Sequence, residues 1–162
     1  MSWVLARVDD RLIHGQVVIA WGRQFQPKRI WVVDDATAAN EWERDLLGSA
    51  APGIDVRVVG ITEMVAAWAG EESAEGGAFL LVRDLKSALA LLENGVPVRA
   101  FSLGGIHYAP GRTKVNEYIY LDAADRDRAR ALLGRGVTLT VQDVPATRAE
   151  SLTALDPASA PA

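Results

Sequence analysis

Short apolar runs rich in β-branched residues alternate along this chain with segments whose apolar residues recur at helical spacing. Trp3 to Val8 precedes a helical pattern over Val17 to Phe25, Ile30 to Val33 precedes Glu41 to Ala51, and Val56 to Val59 precedes Ile61 to Ala69. Continuous apolar runs suit strands covered on both faces, so the rhythm predicts a parallel sheet between two helical layers. It continues through Phe79 to Val82, Leu85 to Leu92 and Val98 to Leu103, with Gly95 as helix stop and Pro97 opening the next strand.

Beyond Gly104 and Gly105 the pattern changes to a polar loop over Tyr108 to Asn116, a short strand over Tyr118 to Leu121, an amphipathic helix over Asp122 to Leu133 and a last strand over Val137 to Val141. The expected fold class is therefore α/β: an open, twisted, mostly parallel sheet of about seven strands in a three-layer α/β/α arrangement, its last strands free to run antiparallel. Asn40, Thr62 with Glu63, Asp84, and Asp122 with Asp125 stand where helix starts need capping or an acidic first turn. Residues 1–145 are expected to form one domain. The Ala-, Pro- and Ser-containing stretch 146–162 is read as a flexible tail, and Gly70 to Gly77 as a solvated acidic loop.

Composition narrows the function. The net charge of -4 is spread without a basic block, which argues against nucleic acid and anionic membrane surfaces as partners. With no cysteine, thiol nucleophiles, disulfides and Cys-ligated zinc are excluded. No apolar run approaches the roughly 20 residues that span a bilayer, and the first residues lack the pattern of a signal peptide. The expected location is the cytoplasm.

Chemistry concentrates where the first strand ends, in Arg7-Val8-Asp9-Asp10-Arg11-Leu12-Ile13-His14-Gly15-Gln16-Val17. In open α/β sheets the carboxyl ends of strands gather ligands, and the helix that follows favours an anion beside its N-terminus. A phosphoryl group on His14 is such an anion. Arg11 offers a planar fork to phosphoryl oxygens, and Asp9 or Asp10 can accept from the imidazole nitrogen opposite the reacting one. Gly15 removes bulk beside the nucleophile, and Gln16 can donate to a phosphoryl oxygen or a carbonyl. The plainer alternative is a loop histidine with a turn of two aspartates.

The same stretch, followed by Trp21, resembles the phosphorylation-site motif of the mannose/fructose/sorbose family of phosphotransferase-system (PTS) IIB proteins. The likeness continues through Val32-Val-Asp-Asp35, Leu46 to Pro52, Gly95-Val-Pro97, Leu103-Gly-Gly-Ile106, Gly111-Arg-Thr-Lys114 and Arg135-Gly-Val137. The resemblance implies a protein-N(pi)-phosphohistidine–sugar phosphotransferase component with no cofactor and no metal. His14 matches the phosphorylated histidine, which receives phosphate from a IIA protein and gives it to a sugar held by membrane IIC and IID partners. Arg11 matches the arginine beside the phosphoryl group. The chain would then work at the inner face of the membrane through IIC and IID, and a homodimer is allowed. Asn40 in place of Asp, and Arg83-Asp84-Leu85 where members often have Asn-Pro, are the departures.

Other residues have weaker claims. His107 stands at the end of the fifth strand and is placed to contact the phosphoryl group or a partner, although an exposed loop histidine is the ordinary reading. Gly104 and Gly105 lack any nucleotide-cradle pattern and suit a close backbone approach. Arg112 and Lys114 form a small basic patch suited to an acidic partner rim or a phosphoryl oxygen. Asp34 and Asp35 read as capping residues before they read as a magnesium site, and the five tryptophans read mostly as packing. Two rival functions remain open: a regulatory phosphoprotein of the same family, and a flavin- or nucleotide-binding protein, which the missing glycine fingerprint disfavours.

Overall fold

In the computed structural model, which describes residues 3–69 and 77–162, strand β1 (Trp3–Asp9) leads into a π-helical segment (Gln16–Trp21) and α1 (Gly22–Phe25). Then come β2 (Arg29–Val33), α2 (Asp35–Ala39), α3 (Glu41–Gly48), β3 (Asp55–Val59), α4 (Ile61–Ala69), β4 (Ala78–Val82), α5 (Leu85–Glu93) and β5 (Ala100–Gly105). The chain closes with β6 (Thr113–Lys114), β7 (Tyr120–Leu121), α6 (Ala123–Gly134), β8 (Thr138–Val141), β9 (Glu150–Ser151) and α7 (Leu152–Leu155). The expected solvated loop over 70–77 lies, apart from Gly77, outside the described residues.

Seven strands form the main sheet in the order β3-β2-β4-β1-β5-β8-β9, parallel except for β9, which runs antiparallel to β8. The three-layer α/β/α arrangement is therefore the observed one. Strand residues alternate between two cores. Leu80, Val82, Ala6 and Val8 pack with Met64 of α4, Leu91 of α5 and Leu132 of α6, whereas Phe79, Leu81 and Leu5 pack with Val17, Trp21 and Ala51 on the opposite face. β1 leaves the sheet toward one face and its neighbours β4 and β5 lead toward the other. That divergence opens a crevice above the carboxyl end of β1.

Helix starts follow local capping chemistry. Asp34, Asn40 and Asp84 accept the N–H groups of Thr37, Glu43 and Ser87, and Asp122 with Asp125 forms a reciprocal capping box. Asp34 also accepts from Thr37 Oγ1, and Asp35 accepts the N–H of Ile61 at the start of α4. Both aspartates are thus committed to the ends of helices.

Three expectations are corrected. The helix over Glu41 to Ala51 ends at Gly48 and is preceded by the short α2. The polar loop over 108–116 contains β6, which pairs with β7 in a separate two-stranded sheet. The stretch 146–162 is not a free tail. β9 extends the sheet, Leu152 and Ser159 are fully buried, and Asp156 receives the Arg126 guanidinium at 2.9 and 3.2 Å. Its alanines and prolines hid one leucine and one aspartate whose partners lie on β8 and α6.

Candidate functional site

The end of β1 carries a charged centre inside an apolar frame. Arg7 is fully buried. Its Nη1 donates to the carbonyl of Gln142 at 2.8 Å and to Ser102 Oγ at 3.3 Å, and its Nη2 donates to the carbonyl of Asp143 at 2.8 Å. The guanidinium lies 5.1 Å from the centre of the Trp21 ring, whose Nε1 donates to the same Asp143 carbonyl. Burial pulls the Arg7 pKa down and Asp9 opposes that pull, so the cation persists because carbonyls and a carboxylate surround it.

Gly104 makes room for this cation. Val8 pairs with Leu103 and Asp9 with Gly105, so Gly104 is the residue skipped in the register. A Cβ at Gly104 would fall 1.9 Å from Arg7 Nη2. At Gly105 it would fall 3.1 Å from Asp9 Oδ1 and 3.3 Å from Arg11 Nη2. Close approach of backbone to the end of β1 and the loop that follows is what these glycines provide.

Asp9, also fully buried, is the hub. Its Oδ1 accepts from the Arg11 backbone N–H at 3.1 Å and Arg11 Nε at 2.9 Å, and its Oδ2 accepts from Arg11 Nη2 at 2.9 Å and bonds His14 Nε2 at 3.1 Å. Arg7 Nε lies 3.6 Å from Oδ2, an ion pair beyond hydrogen-bond distance. Burial alone would raise the Asp9 pKa, but the hydrogen bonds from His14 and Arg11 outweigh it and hold the carboxyl well below the usual range. The bond to Asp9 in turn raises the Arg11 pKa.

An ionised carboxylate only accepts, so the His14 proton sits on Nε2 and Nδ1 keeps its lone pair. A tight turn makes this convergence possible. Leu12 N–H donates to the Asp9 carbonyl at 2.9 Å, and Leu12 adopts φ 58° although it is not glycine. That conformation costs about 1–2 kcal/mol, offset by burial of the Leu12 side chain in the core. Arg11 Nη1 has no protein partner among the described residues, and a Cβ at Gly15 would meet nothing within 4 Å. The space on the Gly15 side of His14 is open.

The sequence left Asp9 and Asp10 as alternatives for orienting His14, and the geometry separates them. Asp10 does not contact His14; its carboxylate accepts the His107 backbone N–H at 2.8 Å and bonds His107 Nδ1 at 2.6 Å. Arg83 Nη1 donates to the Asp10 carbonyl at 2.9 Å. Arg112, expected in an exposed basic patch, is mostly buried, donates to the His107 carbonyl at 3.0 Å and pairs with Asp125 at 3.3 Å. Gln16 is exposed and its side chain makes no hydrogen bond among the described residues. Arg7 belonged to the motif without a role of its own; its signal was a charge inside a buried strand. Asp143 and Arg83 gave no local signal.

The class these features define is a doubly wound α/β domain with a histidine fixed by a buried carboxylate and flanked by arginine at its switch point. More particularly, the chain belongs to the sorbose subfamily of phosphotransferase-system IIB components. The family model described as "PTS system sorbose subfamily IIB component" matches residues 3–158. The sorbose-specific EIIB component of Klebsiella pneumoniae is 33% identical over 145 residues, 89% of this chain and 88% of that protein. The crystal structure of the IIBSor domain of the sorbose permease from Klebsiella pneumoniae superposes with a TM-score of 0.90 at 31% identity, covering 96% of each chain. The mannose-specific EIIAB component of Escherichia coli K12 is 35% identical over 141 residues, and this chain spans 44% of its length. The match to residue 158 also takes in the docked C-terminal segment.

Proposed function

We propose that this IIB component carries a phosphoryl group on His14 Nδ1, accepting it from a phosphohistidine of a IIA protein and passing it to a sugar held by membrane IIC and IID partners. The observation that carries the reading is the 3.1 Å contact between His14 Nε2 and buried Asp9, which leaves Nδ1 as the nucleophile. In the transfer, Nδ1 attacks phosphorus in line while the donor N–P bond breaks. Arg11 Nη1 meets the equatorial oxygens, and Asp9 holds the Nε2 proton and offsets the positive charge on the ring. Arg7 acts behind Asp9, and Gly15 leaves the approach open.

The chain then works at the inner face of the membrane, held there by its partners; no helix among the described residues is long and apolar enough to cross. Incubation with phosphoenolpyruvate, the two general phosphotransferase proteins and a mannose- or sorbose-type IIA protein is expected to place one acid-labile phosphate on His14. Equal labelling of His14→Ala would refute the assignment.

A further inference from the structure

The second histidine is held as deliberately as the first. Asp10 clamps His107 through both its backbone N–H and its ring Nδ1, at 2.8 and 2.6 Å. Arg83 fixes the Asp10 carbonyl and Arg112 the His107 carbonyl. The preceding Ile106 is tied to Tyr118 and Tyr120 by backbone bonds. Yet the His107 side chain is 66% exposed, against 17% for His14. An exposed loop histidine that merely caps a turn does not need four anchors.

The clamp has a chemical consequence. The Asp10 carboxylate accepts the Nδ1 proton, which fixes the tautomer and leaves the Nε2 lone pair directed outward. This is a histidine–carboxylate dyad whose second nitrogen has no protein partner among the described residues, on a side chain that is mostly exposed. Asp10 follows Asp9 directly, and the Asp10 N–H donates to the Gly105 carbonyl at 2.9 Å. Both dyads therefore stand on the same sheet edge.

We propose that His107 is the general base for transfer from phospho-His14 to a hydroxyl acceptor, with Asp10 as its positioning residue; this rests on the phosphocarrier reading above. The two half-reactions differ in proton demand. Passing a phosphoryl group from one imidazole to another breaks one N–P bond and forms another, and each ring keeps its other N–H, so no proton needs a new home. In transfer to a sugar, the hydroxyl oxygen forms the new O–P bond and the N–P electron pair returns to His14 Nδ1. The hydroxyl proton must leave, and His107 Nε2 takes it and releases it to water.

Other groups at this rim are poorly suited. Asp9 is saturated by four hydrogen bonds and shielded from solvent. Arg11, Arg83 and Arg112 have no acceptor atoms. Asp143 Oδ1 is buried. Exposed His107 is anchored to Asp10, the residue after Asp9, so it stands on the same sheet edge as the loop that carries His14.

The test separates the half-reactions. His107→Ala and His107→Gln are labelled by phospho-IIA, then mixed with membrane vesicles of the source organism and mannose, sorbose, fructose or N-acetylgalactosamine, and sugar phosphate is counted. Both variants are expected to take up label at close to the parent rate and to lose about 10²- to 10⁴-fold in sugar-phosphate formation. Free imidazole should restore part of the loss in His107→Ala, because the vacated position is open to solvent. Equal losses in both steps, or transfer at the parent rate, would overturn the base role and leave the carrier reading standing. Absence of phosphate on His14 in the unsubstituted chain, or its failure to reach any of the four sugars, would overturn the carrier reading and this one with it.

Discussion

Gly104→Ala tests whether the buried cation organises the site. The added methyl would lie 1.9 Å from Arg7 Nη2, 2.1 Å from Cζ and 2.5 Å from Nε. The obstruction is the planar head of a side chain fixed by two 2.8 Å bonds to carbonyls on the far side, so Arg7 must withdraw. Withdrawal breaks two hydrogen bonds from a charged donor, each worth about 1.5–3 kcal/mol. It also takes a counter-charge away from fully buried Asp9. Breaking a buried pair costs about 3–5 kcal/mol, and we expect Gly104→Ala to fall in that range. For a chain of this size that lowers the melting midpoint by roughly 6–20 °C. Urea unfolding followed by tryptophan fluorescence measures it, since Trp21 lies against the guanidinium. In an Arg7→Met background the same glycine substitution should cost much less. A loss below about 0.5 kcal/mol in the parent, or an equal loss in both backgrounds, would refute the argument.

Two further outcomes follow from the same contacts. The Asp9 pKa is depressed in the fold, so its contribution is present above the ordinary carboxylate pKa and is lost as pH falls toward the folded value. Asp55, Asp122 and Asp156 are lowered as well, so the comparison is made by subtraction: Asp9→Asn should be less stable at pH 7 and lose less further stability than the parent between about pH 4 and pH 2, and parallel urea-midpoint curves would count against it. Leu152→Ala removes a fully buried side chain from the docked C-terminal segment; a loss of about 2–3 kcal/mol is expected in urea unfolding, and an unchanged midpoint would mean the segment does not support the fold.

What could be read from the sequence is largely what is decided locally. Caps at Asn40, Asp84 and Asp122 act over three residues, and the continuous apolar runs of β2 and β4 declare two-sided burial. His14, Arg11 and Asp9 lie within six positions of one another, so their strand-end placement was legible as well. The choice between Asp9 and Asp10 was not, because it depends on β5: Gly105 presses on the Asp9 side, and the backbone beyond it presents His107 to Asp10. Arg7 was opaque for the same reason. Its carbonyl partners lie 135 and 136 positions away and become neighbours only because β8 pairs with β5. The π-helical start after Gly15 has the same apolar spacing as an α-helix over one turn, and nothing in Gln16 to Trp21 marks the difference.

The two aspartates at the end of β1 show why so much polar structure gathers there. A buried carboxylate left unpaired is costly, and four hydrogen bonds with a nearby guanidinium remove that cost for Asp9. The result is rigid and shielded, which suits the proposed role of holding one imidazole tautomer through two successive transfers. Asp10, one residue further out and 22% exposed, is held less completely and presents its histidine to solvent. Hydroxyl chemistry needs such a group, since a base that passes a proton to water must reach water. Burial falls from Asp9 to Asp10 within a single residue, and in the proposed scheme that gradient divides the labour: the inner dyad orients His14, and the outer dyad manages the proton.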